Sequence, residues 1–194
     1  MPDCQTAPFS LLCHPLQTDP PACRLSGEFA RSGGMLQVGF RLEGNLGALR
    51  IPQAAEGRFA DELWRHTCFE LFVALPGLPR YHEFNFSPSG DWAVYAFDRY
   101  RQRAFLADME LSALKPELQC AASTAGLELT AQVSLAALSP LHVRSTLRLG
   151  LSAVLERKDG PDPLLSYWAL VHPDAKPDFH HPESFALTLD EIRN

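Results

Sequence analysis

Apolar and polar residues alternate with a period of two along most of this chain, the repeat of a β-strand with one dry face. Over residues 35–43, Leu36, Val38, Phe40 and Leu42 oppose Gln37, Gly39, Arg41 and Glu43. Over 126–135, Leu127, Leu129, Ala131, Val133 and Leu135 oppose Glu128, Thr130, Gln132 and Ser134. Over 146–156, Leu147, Leu149, Leu151, Ala153 and Leu155 oppose Arg148, Gly150 and Ser152. Shorter runs with the same repeat cover 24–30, 67–75, 81–87, 91–97, 165–171 and 185–189. Nine or more strands joined by turn-rich connections predict an all-β, antiparallel sandwich and not a βα repeat.

The punctuation agrees. Ser32-Gly33-Gly34 and Ser87-Pro88-Ser89-Gly90 have hairpin and β-turn chemistry, and 158–163 reads as a longer turn. Helix is minor: one helical connection is expected within 98–114, and a single turn over 134–138. No repeat or low-complexity linker divides the chain, so one domain over 1–194 is expected. Two strands depart from simple alternation. The 67–75 run is apolar on both faces, which predicts a covered central strand with Glu70 partly buried. In 81–87, His82, Phe84 and Phe86 form a core-like face, and Tyr81, Glu83, Asn85 and Ser87 form a polar face.

Composition narrows the classes. The 194 residues are 46% hydrophobic and 21% charged, with a net charge of −6, as expected for a soluble globular protein. The acidic balance argues against nucleic acid or an anionic membrane as partner. No run approaches the roughly 20 apolar residues of a spanning helix. The first 24 residues lack a basic start and a long apolar stretch, and Ser10-Leu11-Leu12-Cys13 lacks the flanks of a lipoprotein box. A cytoplasmic location is therefore expected. Cys4, Cys13, Cys23, Cys68 and Cys120 are odd in number and contain no CxxC pair, which argues against a disulfide framework and a thiolate zinc site. Cys68 and Cys120 lie in strand-like runs, where a reduced thiol packs as a small hydrophobe.

Candidate chemistry is sparse. There is no GxSxG, HExxH, P-loop or GxGxxG. Glu70 and Glu83 are the residue types of a glycosidase pair, but spacing does not fix their separation. The run Phe179-His180-His181-Pro182-Glu183 is rich in metal-ligand types, as are the neighbourhoods of His66 and His82. Adjacent histidines on an extended chain point apart, so ordinary hydrogen-bonded histidines are the simpler expectation. Trp64 and Trp168 precede or sit within strands. Indole faces stack on the C–H face of a sugar, and Arg65, Glu70, Glu83, Asn85 and Arg148 are the types that read hydroxyls. The competing fate of each tryptophan is core packing.

The order of motifs carries a resemblance. Trp64-Arg65-His66-Thr67-Cys68-Phe69-Glu70-Leu71-Phe72, followed by Tyr81-His82-Glu83-Phe84-Asn85-Phe86-Ser87-Pro88-Ser89-Gly90, resembles the core of DOMON-like domains, which include the family 9 carbohydrate-binding modules. The segment 126–138 is similar to those modules' "G-W-x-x-E-x-x-I-P" strand and turn, and 179–189 to their "P-E-x-F-G-x-L-x-L" ending. The matches span roughly 20–190. The resemblance implies a jelly-roll-like β-sandwich that binds a small carbohydrate without turnover, held between Trp64 and Trp168 with polar contacts from the Glu70 and 81–87 strands. Thr67 stands where many members have an acidic residue, which weakens any calcium carry-over, and Met1, Met35 and Met109 match no haem-ligand motif. No cofactor is expected. A haem-binding electron-transfer domain and a protein-interaction module without a small ligand are the alternatives.

Overall fold

The computed structural model describes residues 5–123, 125–158 and 164–190. Met1, Cys4 and all but Lys158 of the turn expected over 158–163 lie outside the described residues. Within them the chain forms twelve strands: β1 (Gln5–Cys13), β2 (Cys23–Ser32), β3 (Met35–Gly44), β4 (Cys68–Ala74), β5 (Tyr81–Phe86), β6 (Trp92–Arg99), β7 (Gln102–Ala104), β8 (Glu117–Ala122), β9 (Gly126–Ser134), β10 (Leu147–Arg157), β11 (Leu164–Ala169) and β12 (Leu187–Leu189). Three short helices accompany them: α1 (Asp108–Ala113), α2 (Leu135–Leu138) and α3 (Pro140–Arg144). No described helix is long and apolar enough to cross a membrane.

The strands pair antiparallel into two layers. Sheet one runs β1-β2-β3-β9-β8, and sheet two runs β7-β6-β5-β4-β10-β11 with β12 also on β10. β1 belongs to both: Gln5 to Leu11 pair with β2, and Leu12 and Cys13 pair with Ala169 and Trp168 of β11. This β-sandwich is the architecture the alternation predicts. Its core lies where the dry faces meet, with Leu36, Val38, Phe40 and Leu42 of β3 opposing Phe69, Leu71 and Val73 of β4. Phe40 and Phe69 touch across the layers with centroids 5.1 Å apart. Each fully buried side chain of this kind stabilises the fold by about 1.5–3 kcal/mol. The polar positions of β3 face out, where Arg41 pairs with Glu128 at 2.9 Å and Gln132 donates to Gln37 at 3.1 Å.

A few expectations are corrected. β1 was not foreseen, although Ala7, Phe9, Leu11 and Cys13 keep the period of two inward and Pro8 falls on its exposed face. The proline is tolerated because β1 has only β2 beside it there. Residues 98–105 are strand and turn, not helix: β6 ends at Arg99, Arg101 adopts a left-handed φ of 53°, and β7 returns along β6. Helix in that stretch is confined to α1. Cys68 is buried as expected, whereas Cys120 is exposed on the edge strand β8.

Sheet two is apolar on both faces. All of β4 is buried, Glu70 included at 2% exposure. Its outer face carries a second cluster in which Tyr81 stacks on Phe97 (4.7 Å, 7°) and Phe72 on Phe185 (5.5 Å, 25°). The cover is the segment 172–186, pinned by Arg148, which donates to the carbonyls of Phe185 (2.8 Å) and Pro182 (3.0 Å). Gly150 lets this cover lie close, since a Cβ there would sit 2.7 Å from Phe185 Cδ1.

Candidate functional site

Beside that aromatic cluster, the outer face of sheet two holds a cavity of about 570 Å³, within the size range of small-molecule sites. Strand parity assembles it. Glu70 lies directly across from Asn85 in the β4–β5 register, and Glu83 across from Phe72, so the two glutamates are diagonal neighbours on one face. Both line the cavity, with Val154 of β10, Tyr167 of β11 and Phe97 of β6. Arg101 and Arg103 contribute from the β6–β7 turn and β7. Lys176, Pro177, Phe179 and His180 come from the covering segment, and Trp64 from the 3₁₀ turn Leu63–Arg65.

The carboxylates are positioned from beneath. Asn85, fully buried, donates Nδ2 to Glu83 Oε1 at 2.7 Å, and Ser152 donates its hydroxyl to Glu70 Oε2 at 2.9 Å. Glu70 Oε1 and Glu83 Oε2 have no hydrogen-bond partner among the described residues, so they are the polar atoms this floor can offer. Burial raises both pKa values above the ordinary 4.5. The charge of Glu83 pushes Glu70 further up, while the Ser152 and Asn85 bonds oppose the rise.

The rim is held by a few polar anchors. Among the described residues, Glu62 (φ 59°) and Arg101 (φ 53°) alone have left-handed backbone at non-glycine positions. One leads into the Trp64 turn and the other lines the cavity, which places the local strain at the site. The Glu62 amide donates to the Tyr95 hydroxyl at 3.1 Å, Tyr95 in turn donates to Asp61, and Arg103 lies 3.9 Å over the Tyr95 ring. Asp178 ties the covering segment to the hairpin by accepting from Tyr100 (2.6 Å) and Arg101 (2.8 Å). Burial alone would raise the Asp178 carboxyl, but these bonds hold it below its usual value.

The residues singled out from sequence divide in two. Trp64, 38% exposed, lines the cavity together with Glu70 and Glu83. Asn85 sits behind Glu83 as its support. Arg65 pairs with Glu62 at 2.8 Å and lies 5.2 Å over the Trp64 ring, outside the cavity lining. Arg148 is used on the covering segment. Trp168 is a correction: it is 6% exposed, packs between the sheets and donates Nε1 to Ser166 at 3.0 Å. Alternation places its neighbour Tyr167 on the cavity side. Sequence reasoning missed Tyr167, Phe97, Phe179, Arg101, Arg103, Lys176 and Pro177. It reached His180 only as a metal-ligand type.

Thr67 is also occupied structurally, donating to the Arg50 carbonyl at 2.7 Å and accepting from the Glu156 amide at 3.0 Å. Among the described residues no three His, Cys, Asp or Glu converge as a metal site. Met35 and Met109 are exposed and are not among the described residues lining the cavity.

No known family model and no curated protein matches the chain. Solved structures do match it. A candidate carbohydrate-binding protein from Bacteroides uniformis aligns with a TM-score of 0.69 at 17% identity, over 95% of this chain and 85% of its own. A family 9 carbohydrate-binding module from Caldicellulosiruptor kristjanssonii, in complex with glucose, aligns at 0.58 and 8%, over 91% and 81%. The chain has the family 9 fold. A family 9 module from the same organism, in complex with cellotriose, aligns at 0.50 and 6%, over 91% and 76%. At these identities the likeness is one of fold.

Proposed function

We propose that this protein binds a small carbohydrate in the cavity on sheet two, without chemical turnover. The observation that carries the reading is the pairing of two buried, hydrogen-bonded glutamates with an aromatic wall. Glu70 Oε1 and Glu83 Oε2 accept hydroxyl hydrogen bonds, while Trp64 and Tyr167 offer ring faces to the sugar's C–H groups. Sugar complexes of proteins with this fold support the same choice of ligand. The sugar is held against one indole and one phenol ring, since Trp168 belongs to the core.

Thermal shift and calorimetry with glucose, cellobiose, cellotriose and a wider panel of mono- and disaccharides test this. Ligand at a hundred times its Kd should stabilise the fold by about 2.7 kcal/mol. Trp64→Ala and Glu70→Gln should each weaken binding about tenfold or more while the protein stays folded. Unchanged melting across the panel would overturn the reading. The buried carboxylate pair also favours a second reading, a glycoside hydrolase. Release of new reducing ends from an oligosaccharide, lost in Glu70→Gln, would select it.

A further inference from the structure

Resting on the carbohydrate reading, the geometry points to a specific reader of hydroxyls on the cavity wall: His180 and Glu83 together recognise two neighbouring hydroxyls of the ligand, and Tyr81 positions His180 for the task.

The argument starts at the Tyr81 hydroxyl. Tyr81 is 4% exposed, and its oxygen has two partners among the described residues: the Arg101 amide at 3.1 Å and His180 Nδ1 at 2.9 Å. The amide can only donate. The phenolic proton therefore finds its acceptor in His180 Nδ1, because the alternative leaves a buried O–H without one. An imidazole that accepts at Nδ1 carries its proton on Nε2. The ring is also neutral, because burial and then the charge of Arg101 push the His180 pKa down to about 4, despite the opposing charge of Asp178. Edge-on contacts with Phe72 (5.3 Å) and Phe97 (5.0 Å) hold it in place.

His180 Nε2 and Glu83 Oε2 then stand 3.6 Å apart, too far for a good N–H···O bond, whose length is about 2.9 Å. Glu83 Oε1 is taken by Asn85, so Oε2 is the free acceptor and Nε2–H the free donor, side by side on residues that line the cavity. Neighbouring hydroxyls match this pair, one accepting from Nε2 and the other donating to Oε2. A deoxy position, a methyl ether or an ammonium group fails at one atom or the other. The charged groups around the pair are Glu70 on β4, Arg101 and Arg103 on the β6–β7 hairpin, and Asp178 on the covering segment.

The test follows the side-chain nitrogens of His180 by long-range proton–nitrogen NMR at neutral pH, with and without glucose. The wild-type protein should show the Nε2-protonated form, and Tyr81→Phe, which keeps the ring, should lose that preference. Glucose should move the Nε2 signal. Tyr81→Phe and His180→Phe should each weaken glucose binding about fivefold, the size of one hydrogen bond. A singly deoxygenated glucose should bind the wild type correspondingly less well, yet bind His180→Phe as glucose does. An Nδ1-protonated ring in the wild type overturns the inference. So does glucose binding that leaves His180 unmoved, and in that case the carbohydrate reading stands. Failure of every sugar to bind overturns both.

Discussion

Replacing Trp168 with alanine separates core from cavity. The indole is 6% exposed between the sheets, beside Cys13 of β1 and Ala153 of β10 in the strand register. Truncating a buried tryptophan costs about 3–5 kcal/mol through lost transfer energy and the void it leaves. The Ser166 hydroxyl, 1% exposed, also loses its donor from the indole N–H, though it keeps a 3.4 Å contact to the Leu155 carbonyl. That adds about 1 kcal/mol. In a domain of this size the melting temperature should fall by roughly 10 °C or more. The urea midpoint should drop without a change in slope, as expected for lost stability in a two-state transition. Tyr167→Ala, one residue away on the opposite face, should cost about 1 kcal/mol or less and act on sugar affinity instead. Calorimetry on both variants, at a temperature where both are folded, completes the comparison. A Trp168→Ala protein of near wild-type stability that has lost ligand binding would refute the placement of this ring.

Other consequences can be measured directly. Burial holds His82, His142 and His180 at about 4, below the 6.5 of an unfolded histidine, so the unfolded chain binds more protons between those values and urea midpoints should fall as pH drops through that window. Glu70 and Glu83 act with the opposite sign: raised above 4.5 by burial, they favour the fold when protonated, and that share is lost as pH rises through their raised values. A Glu70→Gln/Glu83→Gln double variant should therefore gain stability relative to wild type at about pH 8 compared with about pH 5, and equal differences at both would contradict the assignment. Arg31, fully buried, donates to the carbonyls of Asp190 (2.9 Å), His142 (2.9 Å) and Val143 (3.0 Å). Arg31→Ala leaves those carbonyls unserved and should cost about 3 kcal/mol in urea unfolding. Gly150→Ala should push Phe185 off sheet two, which hydrogen exchange would register as faster opening of 177–186, and unchanged protection there would count against this contact.

The strands with one clean dry face were legible because period-two alternation reports burial directly. Glu70 was legible as a buried carboxylate for the same reason: apolar residues on both faces of 67–75 require a covered strand. β11 was not legible in parity. Its inner face pairs Trp168 with a buried serine, Ser166, while its outer face shows Leu165, Tyr167 and Ala169. Pattern alone therefore favours the wrong side, and only register against β10 resolves it. The β6–β7 hairpin was hidden because its turn uses an arginine, not a glycine, in left-handed conformation, so the cavity's two arginines were read as part of a helix. The covering segment has no periodicity at all. Its place is set by distant partners such as Asp178 with Arg101 and Arg148 with the Phe185 carbonyl.

The walls of the cavity come from two stretches far apart in the chain, 64–103 and 154–180, with 176–180 the part of the covering segment that lines it. During synthesis the cavity is therefore incomplete until residue 180 has emerged from the ribosome, although sheet one and all of sheet two but β12 precede the covering segment in sequence. A product ending before residue 172 would lack the cover, β12 and the Asp190 carbonyl that Arg31 grips, and so would lose the cavity's roof together with part of what fastens the sandwich.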